Sequence, residues 1–235
     1  MQRVLIAGAG GGIGLAMVDA LATREDIEKI HAVHRRPVSN LHPEVNWHAA
    51  DLTDPKCLEQ LVRSVAAEGP LDALIVTSGL LHDGPMRPEK SLRDLDPAHL
   101  SRLYEANAIV PLMVLRAFHR HLSGGAVACL LSAQVGSIGD NHLGGWYGYR
   151  MAKAALNMAV KTAAIELGRG RNPPTLVAVH PGTTRTALSE PFTQRRKAPV
   201  VTAKAAAARL LTLLDSLTPE QHGAFLSYDG TPLPW

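Results

Sequence analysis

Tyr149 and Lys153 stand four positions apart in WYGYRMAKAALNMAVKTAAIEL, residues 146 to 167, a stretch rich in Ala and Leu with a helical pattern. Residues four apart on a helix share a face, so a phenol and an ammonium sit one turn above the other. A free phenol has a pKa near ~10 and exchanges protons poorly at neutral pH. A neighbouring positive charge favours the phenolate and brings the group toward working pH. The chemistry this pair offers is proton transfer to or from an oxygen.

The elements that must position the pair follow from periodicity. Short apolar runs near 3–7, 29–34, 46–49, 73–77, 126–131, 175–180 and 224–228 read as strands. Helical patterns near 13–22, 55–67, 97–121, 149–167 and 202–214 separate them. Several runs are apolar on both faces, as in a parallel sheet covered by helices on each side. The expected fold is α/β, a doubly wound parallel sheet of about seven strands, with residues 1–235 as a single domain. Long loops near 80–97 and 183–200 are rich in Pro, polar and charged residues, and loops of that length at strand C-termini often carry function.

AGAGGGIG joins the first predicted strand to the first predicted helix. In that context Gly8, Gly12 and Gly14 give a tight turn, close backbone approach to a phosphate and close helix–strand packing. With Gly11 and Ile13 they open a helix whose free N–H groups point at a pyrophosphate, so the sheet is of Rossmann type. A dinucleotide site of this kind expects an acidic residue roughly 20 positions on, for the adenosine ribose. The segment HAVHRRPV offers His34, Arg35 and Arg36 instead, and no carboxylate. A guanidinium fork suits a 2′-phosphate, so NADP(H) is expected over NAD(H), which stays possible. The alternative is a pair of surface arginines after a strand. Asp51-Leu52, after the third strand, fits a clamp at an adenine ring, and VTSG, with Ser78 and Gly79, puts small residues where backbone and cofactor pass closely.

Composition sets the outer bounds. Apolar residues are 46% and charged residues 19%, and the net charge is +3 from 24 basic and 21 acidic residues. That balance argues against a nucleic-acid partner, and no apolar run reaches the ~18 residues that span a bilayer. Cys57 and Cys129 form no metal-type spacing or disulfide framework, and RVLIAGAG leaves no room for a signal peptide, so a cytoplasmic location is expected. His119 and His121 lack a third ligand at sensible spacing, so no metal is expected.

The order Gly8-x-x-x-Gly12-x-Gly14, Asp51, Asn107, Tyr149-x-x-x-Lys153, Pro181-Gly182 and Thr186 resembles the short-chain dehydrogenase/reductase family over nearly the whole chain. GSIGDN, GGWYGYRMAKAALN and the ending YDGTPLPW look most like its C-factor-type branch, which includes carbonyl reductases of the sniffer kind. The resemblance implies hydride transfer between a nicotinamide and a carbonyl or secondary alcohol, with Tyr149 exchanging the proton on oxygen. It implies that Lys153 also holds the nicotinamide ribose, and that Asn107 bends its helix and holds a water in a proton relay. Pro181-Gly182 would pass under the nicotinamide, with Thr184 and Thr186 near its carboxamide or the phosphate. A small-molecule substrate and a homodimer or homotetramer are implied.

Two departures stand out. The family serine of SSxxG, which binds the substrate oxygen, aligns with Ala133 in SAQVG, leaving Ser132 one position early and Ser137 in the next loop. Side chains alternate along a strand, so Ser132 serves only if the strand end is kinked. VTSG replaces the usual NNAG, removing an amide that packs near the cofactor. Trp146 and Tyr147 either line the substrate cleft or pack the loop, and the terminal TPLPW docks on its own chain or across an oligomer interface. The reading is therefore an NADPH-dependent oxidoreductase with Tyr149, Lys153, Asn107 and Ser132 as catalytic residues; the alternative is an NADP(H)-binding signalling or scaffold protein with little turnover.

Overall fold

Side chains of β1 (Arg3–Ala7) alternate between two apolar layers, with Val4 and Ile6 in one and Leu5 and Ala7 in the other. The computed structural model describes residues 1–35, 37–38, 42–193 and 200–235. From β1 the chain runs through α1 (Gly12–Leu21), β2 (Lys29–His34), β3 (Asn46–Ala49), α2 (Pro55–Ala66) and β4 (Leu71–Val76). It continues through α3 (Pro97–Tyr104), α4 (Val110–Phe118), β5 (Leu122–Leu131), α5 (Tyr147–Leu167) and β6 (Thr175–His180). The last elements are β7 (Thr184–Arg185), α6 (Glu190–Thr193), β8 (Val201–Thr202), α7 (Ala203–Ser216) and β9 (Phe225–Ser227).

Seven strands pair in the order β3-β2-β1-β4-β5-β6-β9, and every pairing is parallel. Parallel neighbours need crossovers, and the crossovers supply the covering helices. Met17, Val18 and Leu21 of α1 pack with Leu210, Leu211 and Leu214 of α7 on one face. Leu58 and Leu61 of α2, Val114 and Phe118 of α4, and Leu156 and Val160 of α5 cover the other. The winding reverses between β1 and β4, and the crevice beyond the strand ends at such a reversal is where ligands bind in open α/β sheets.

The structure refines three boundaries. The helical pattern expected over 97–121 is interrupted: residues Glu105–Ile109 form a π-turn between α3 and α4. Pro111 has no N–H to donate, and the Asn107 side-chain amide takes the Leu103 carbonyl at 2.9 Å. β5 begins at Leu122 rather than near 126, because Leu122 pairs with Leu71 and the register then shifts before Ala73 meets Val127. Within the loop expected over 183–200, β7 pairs with β8 just beyond it and α6 forms a short helix.

Candidate active site

The glycine turn after β1 is packed so tightly that side chains do not fit. Gly8 has φ +98°, and a Cβ there would meet the Ser78 backbone nitrogen at 2.6 Å. A Cβ on Gly14 would stand 2.4 Å from the Gly8 carbonyl oxygen. The Thr77 hydroxyl donates to the carbonyls of Ala7 and Gly8 at 3.2 and 3.1 Å. A hydroxyl thus ties the end of β4 to the turn, compensating for the amide that VTSG lacks. Gly11 caps α1 with no side-chain hydrogen bond, and the first turn, with Gly12 and Ile13, carries no acidic residue. The N–H groups of that turn are left for an anion. A Cβ on Gly12 would lie 2.7 Å from Thr186 Cγ2, so the segment after β6 closes over the same turn.

At the end of β2, Arg35 is exposed and the His34 ring meets Trp47 edge-on at 5.9 Å. Arg36 lies outside the described residues. Asp51 Oδ1 accepts from the Thr53 N–H and hydroxyl at 3.0 and 2.7 Å. Those hydrogen bonds, with a smaller contribution from the Arg35 charge, hold its carboxyl below the usual range. Leu52 packs against the core layer that holds Leu5, Leu58 and Leu61. Beyond β6, Gly182 has φ +78° and Thr184 is buried with its hydroxyl on the Gly182 carbonyl at 3.2 Å. Pro181 lies half-buried between them and the strand.

The ends of β4 and β5, the π-turn and the first turns of α5 converge on Tyr149 and Lys153. Both are buried, at 9% and 3% exposure, at the start of the helix face that Leu156, Val160 and Ala164 carry into the core. Lys153 Nζ donates to the Leu131 carbonyl at 2.8 Å and lies 5.8 Å from the centre of the Tyr149 ring. A Cβ on Gly79 would stand 3.2 Å from Asn107 Oδ1 and 3.8 Å from Lys153 Nζ, so this glycine keeps the space beside both open. Asn107, fully buried, donates to the carbonyls of Leu80 and Leu103 and accepts from the Leu80 N–H at 3.1 Å. Both amide protons are in use, and its side chain fixes the Leu80 turn against the π-turn. Ser78 Oγ, following β4, is buried without a hydrogen-bond partner among the described residues.

Burial shapes the charges of the pair. It pushes the Tyr149 phenol above its ordinary value and the Lys153 ammonium down to about 7. Desolvation by the protein alone thus opposes the lowering of the phenol expected from its neighbour. A group that stabilises the charged forms has a large effect in so dry a site.

Ser132 follows the last residue of β5 and is buried. Its hydroxyl donates to Asn157 Oδ1 at 2.6 Å, one turn beyond Lys153, so its proton is committed there. The hydroxyl expected to supply the substrate's hydrogen bond is thus bonded to Asn157 in this structure. Ala133 is extended (φ −149°, ψ 146°), which preserves strand alternation and sends successive side chains to opposite sides. Ser137 is also occupied, accepting from the Asp140 N–H and donating to the Trp235 carbonyl. The terminal segment docks on its own chain, with the Trp235 ring 5.8 Å from Phe225.

Sequence reasoning missed Glu89, His82 and Phe192, which lie in the long loops and carry no periodic signal. Trp146 is in the left-handed region (φ 54°, ψ 41°), and its N–H donates to the Glu89 carbonyl at 2.6 Å. That conformation costs a non-glycine residue of order 1–3 kcal/mol and persists only where the surroundings enforce it. Its ring meets Tyr149 at 6.2 Å and Phe192 at 5.4 Å, both near right angles.

The family model described as short chain dehydrogenase matches residues 2–197. The chain is 30% identical to the 1-hydroxy-2-glutathionyl-2-methyl-3-butene dehydrogenase of Rhodococcus sp. (strain AD45), covering 100% of both chains. It is 35% identical over 171 residues to C-signal of Myxococcus xanthus, covering 71% of this chain and 94% of that protein. The NADPH-bound carbonyl reductase from chicken fatty liver superposes with a TM-score of 0.87 at 26% identity, covering 100% of this chain and 96% of that one.

Proposed function

Because this chain belongs to the short chain dehydrogenase family and is an oxidoreductase of that kind, we propose that it uses NADP(H) to interconvert carbonyl compounds and secondary alcohols. The observation that carries the reading is the buried Tyr149–Lys153 pair, 5.8 Å from ammonium nitrogen to ring centre, beside the space that Gly79 keeps open. The uncapped α1 terminus and the close-packed glycine turn fit a pyrophosphate, and the unpartnered Ser78 hydroxyl fits a polar group passing β4. When bound there, a nicotinamide supplies the hydride. Tyr149 gives its hydroxyl proton to the substrate oxygen as negative charge develops on it. Lys153, held near the phenol by the Leu131 carbonyl, donates to ribose hydroxyls. Asn107 holds the Leu80 turn in place and keeps one lone pair of Oδ1 for the water of a proton relay.

Arg35 would take the 2′-phosphate. Replacing it with Ala is expected to weaken NADPH binding about 10- to 150-fold, the size of a hydrogen bond to a charged group, and to leave NADH nearly untouched. Fluorescence titration of both nucleotides measures this; equal loss for the two contradicts the assignment.

A second reading, an NADP(H)-binding signalling or scaffold protein, is favoured by Ala133, which removes a substrate-binding hydroxyl. A screen of NADPH oxidation over aldehydes, ketones and quinones separates the two. Turnover that depends on Tyr149 supports the enzyme; tight NADPH binding with no turnover supports the sensor. We also infer a single-domain, cytoplasmic homo-oligomer, in which exposed Met151, Met158 and Ile165, seven apart along α5, meet a second copy. No helix among the described residues is long and apolar enough to cross a membrane.

A further inference from the structure

The loops expected to shape the substrate pocket meet over Tyr149 through aromatic rings. The Trp146 ring meets both Tyr149 and Phe192 of α6 edge-on, at interplanar angles of 72° and 67°. His82, from the loop after β4, closes on Phe192 at 5.6 Å and holds the Ala187 carbonyl at 3.2 Å. His82, Phe192 and Trp146 thus form a chain of edge-on ring contacts that ends as a corner beside the reactive phenol. A flat ring entering such a corner stacks on one face and meets another edge-on, whereas an alkyl chain gains neither contact.

Trp146 is held in this corner against its own backbone preference. Glu89 takes the Trp146 N–H on its carbonyl and the Gly148 N–H on Oε2, at 2.6 and 3.2 Å. It is 3% exposed, and Oε1 has no hydrogen-bond partner among the described residues. A buried carboxylate is costly unless something requires it, and the start of α5 offers only partial compensation. Gly148 leaves the carboxylate room: a Cβ there would meet Leu103 Cδ1 at 2.7 Å and Glu89 Oε1 at 2.9 Å. Glu89 therefore holds both residues that flank Tyr147, Trp146 through its backbone carbonyl and Gly148 through its carboxylate, directly ahead of Tyr149.

We propose that Trp146 is a specificity-determining residue that selects carbonyl substrates bearing a flat ring next to the carbonyl, and that Glu89 is the positioning residue that fixes it. This rests on the oxidoreductase reading above. The test compares kcat/KM for 1-phenyl-1,2-propanedione and 2,3-pentanedione. The wild-type protein prefers the phenyl compound about tenfold or more. Trp146→Ala brings the two within about twofold, while Trp146→Phe keeps most of the preference. Glu89→Ala lowers the preference as Trp146→Ala does, and Glu89→Gln retains it because its amide oxygen still accepts the Gly148 N–H. A preference absent from the wild type, or untouched in Trp146→Ala, overturns the proposal with the oxidoreductase reading intact. If neither dione turns over, that reading has failed. Calorimetric binding of the phenyl dione in the presence of NADP+ then decides the corner alone, and equal affinity for wild type and Trp146→Ala overturns it.

Discussion

Tyr149→Phe is expected to lower carbonyl reduction by about 10²- to 10⁴-fold, the range for loss of a positioned proton donor. The phenylalanine ring keeps the contacts with Trp146 and the volume of a buried site, so the change removes one hydroxyl and little else. The loss falls on kcat rather than KM, because the proton moves to the substrate oxygen only as charge develops there. Steady-state NADPH oxidation with any reactive aldehyde or ketone measures it. A variant within tenfold of the wild type would remove the phenol from the reaction.

The opposite effect is expected at Ala133. Removing one donor to a developing oxyanion costs about 10²- to 10³-fold in rate, so Ala133→Ser is expected to raise kcat by about 10²-fold. The local backbone supports this direction. Residue 133 is extended, and the Ser132 hydroxyl already points to Asn157, so a hydroxyl one position on leaves on the other side of the strand. That is the side on which the resemblance puts the substrate-binding serine. The same variant discriminates the two functional readings, since a protein kept for signalling alone gains no turnover from it. Parallel progress curves for the two proteins suffice, and a ratio near one refutes the assignment of position 133.

Much of this architecture was legible because its causes are local. Strands buried on both faces announce themselves as unbroken apolar runs, as in RVLIA and TLVAVH, and both became central strands of the sheet. AGAGGGIG was readable because close packing excludes a Cβ at Gly8 and Gly14, and only one residue type meets that demand. The helical spacing of Tyr149 and Lys153 survived because α5 is straight core helix below them. What stayed hidden depends on contacts distant in sequence. The resemblance implied a bend at Asn107, but its form was hidden: a π-turn at Glu105–Ile109, with the Asn107 amide bonding to Leu80 as well as Leu103. Nothing beside Glu89 in the sequence marks it, for its burial comes from Leu100 and Leu103 of α3 and Gly148 of α5 closing around it. The partner of Ser132 was unreadable for the same reason, since Asn157 looks like any polar residue on a helix.

The structure also sharpens the question of how the phenol works. Its surroundings alone favour a neutral phenol and a weakened ammonium, both through desolvation. Below about pH 7 the amine carries its charge and pulls on the phenol; above that value the pull fades. An oxidised nicotinamide adds a second positive charge in a dry site, where such charges act strongly.

The most direct test is a titration of the tyrosinate absorption band with and without saturating NADP+, using Tyr149→Phe as the blank. The account predicts one phenol, missing from the blank, that ionises above the ordinary ~10 in the protein alone and well below it once NADP+ is bound. A phenol that ionises at the same pH in both conditions would contradict it.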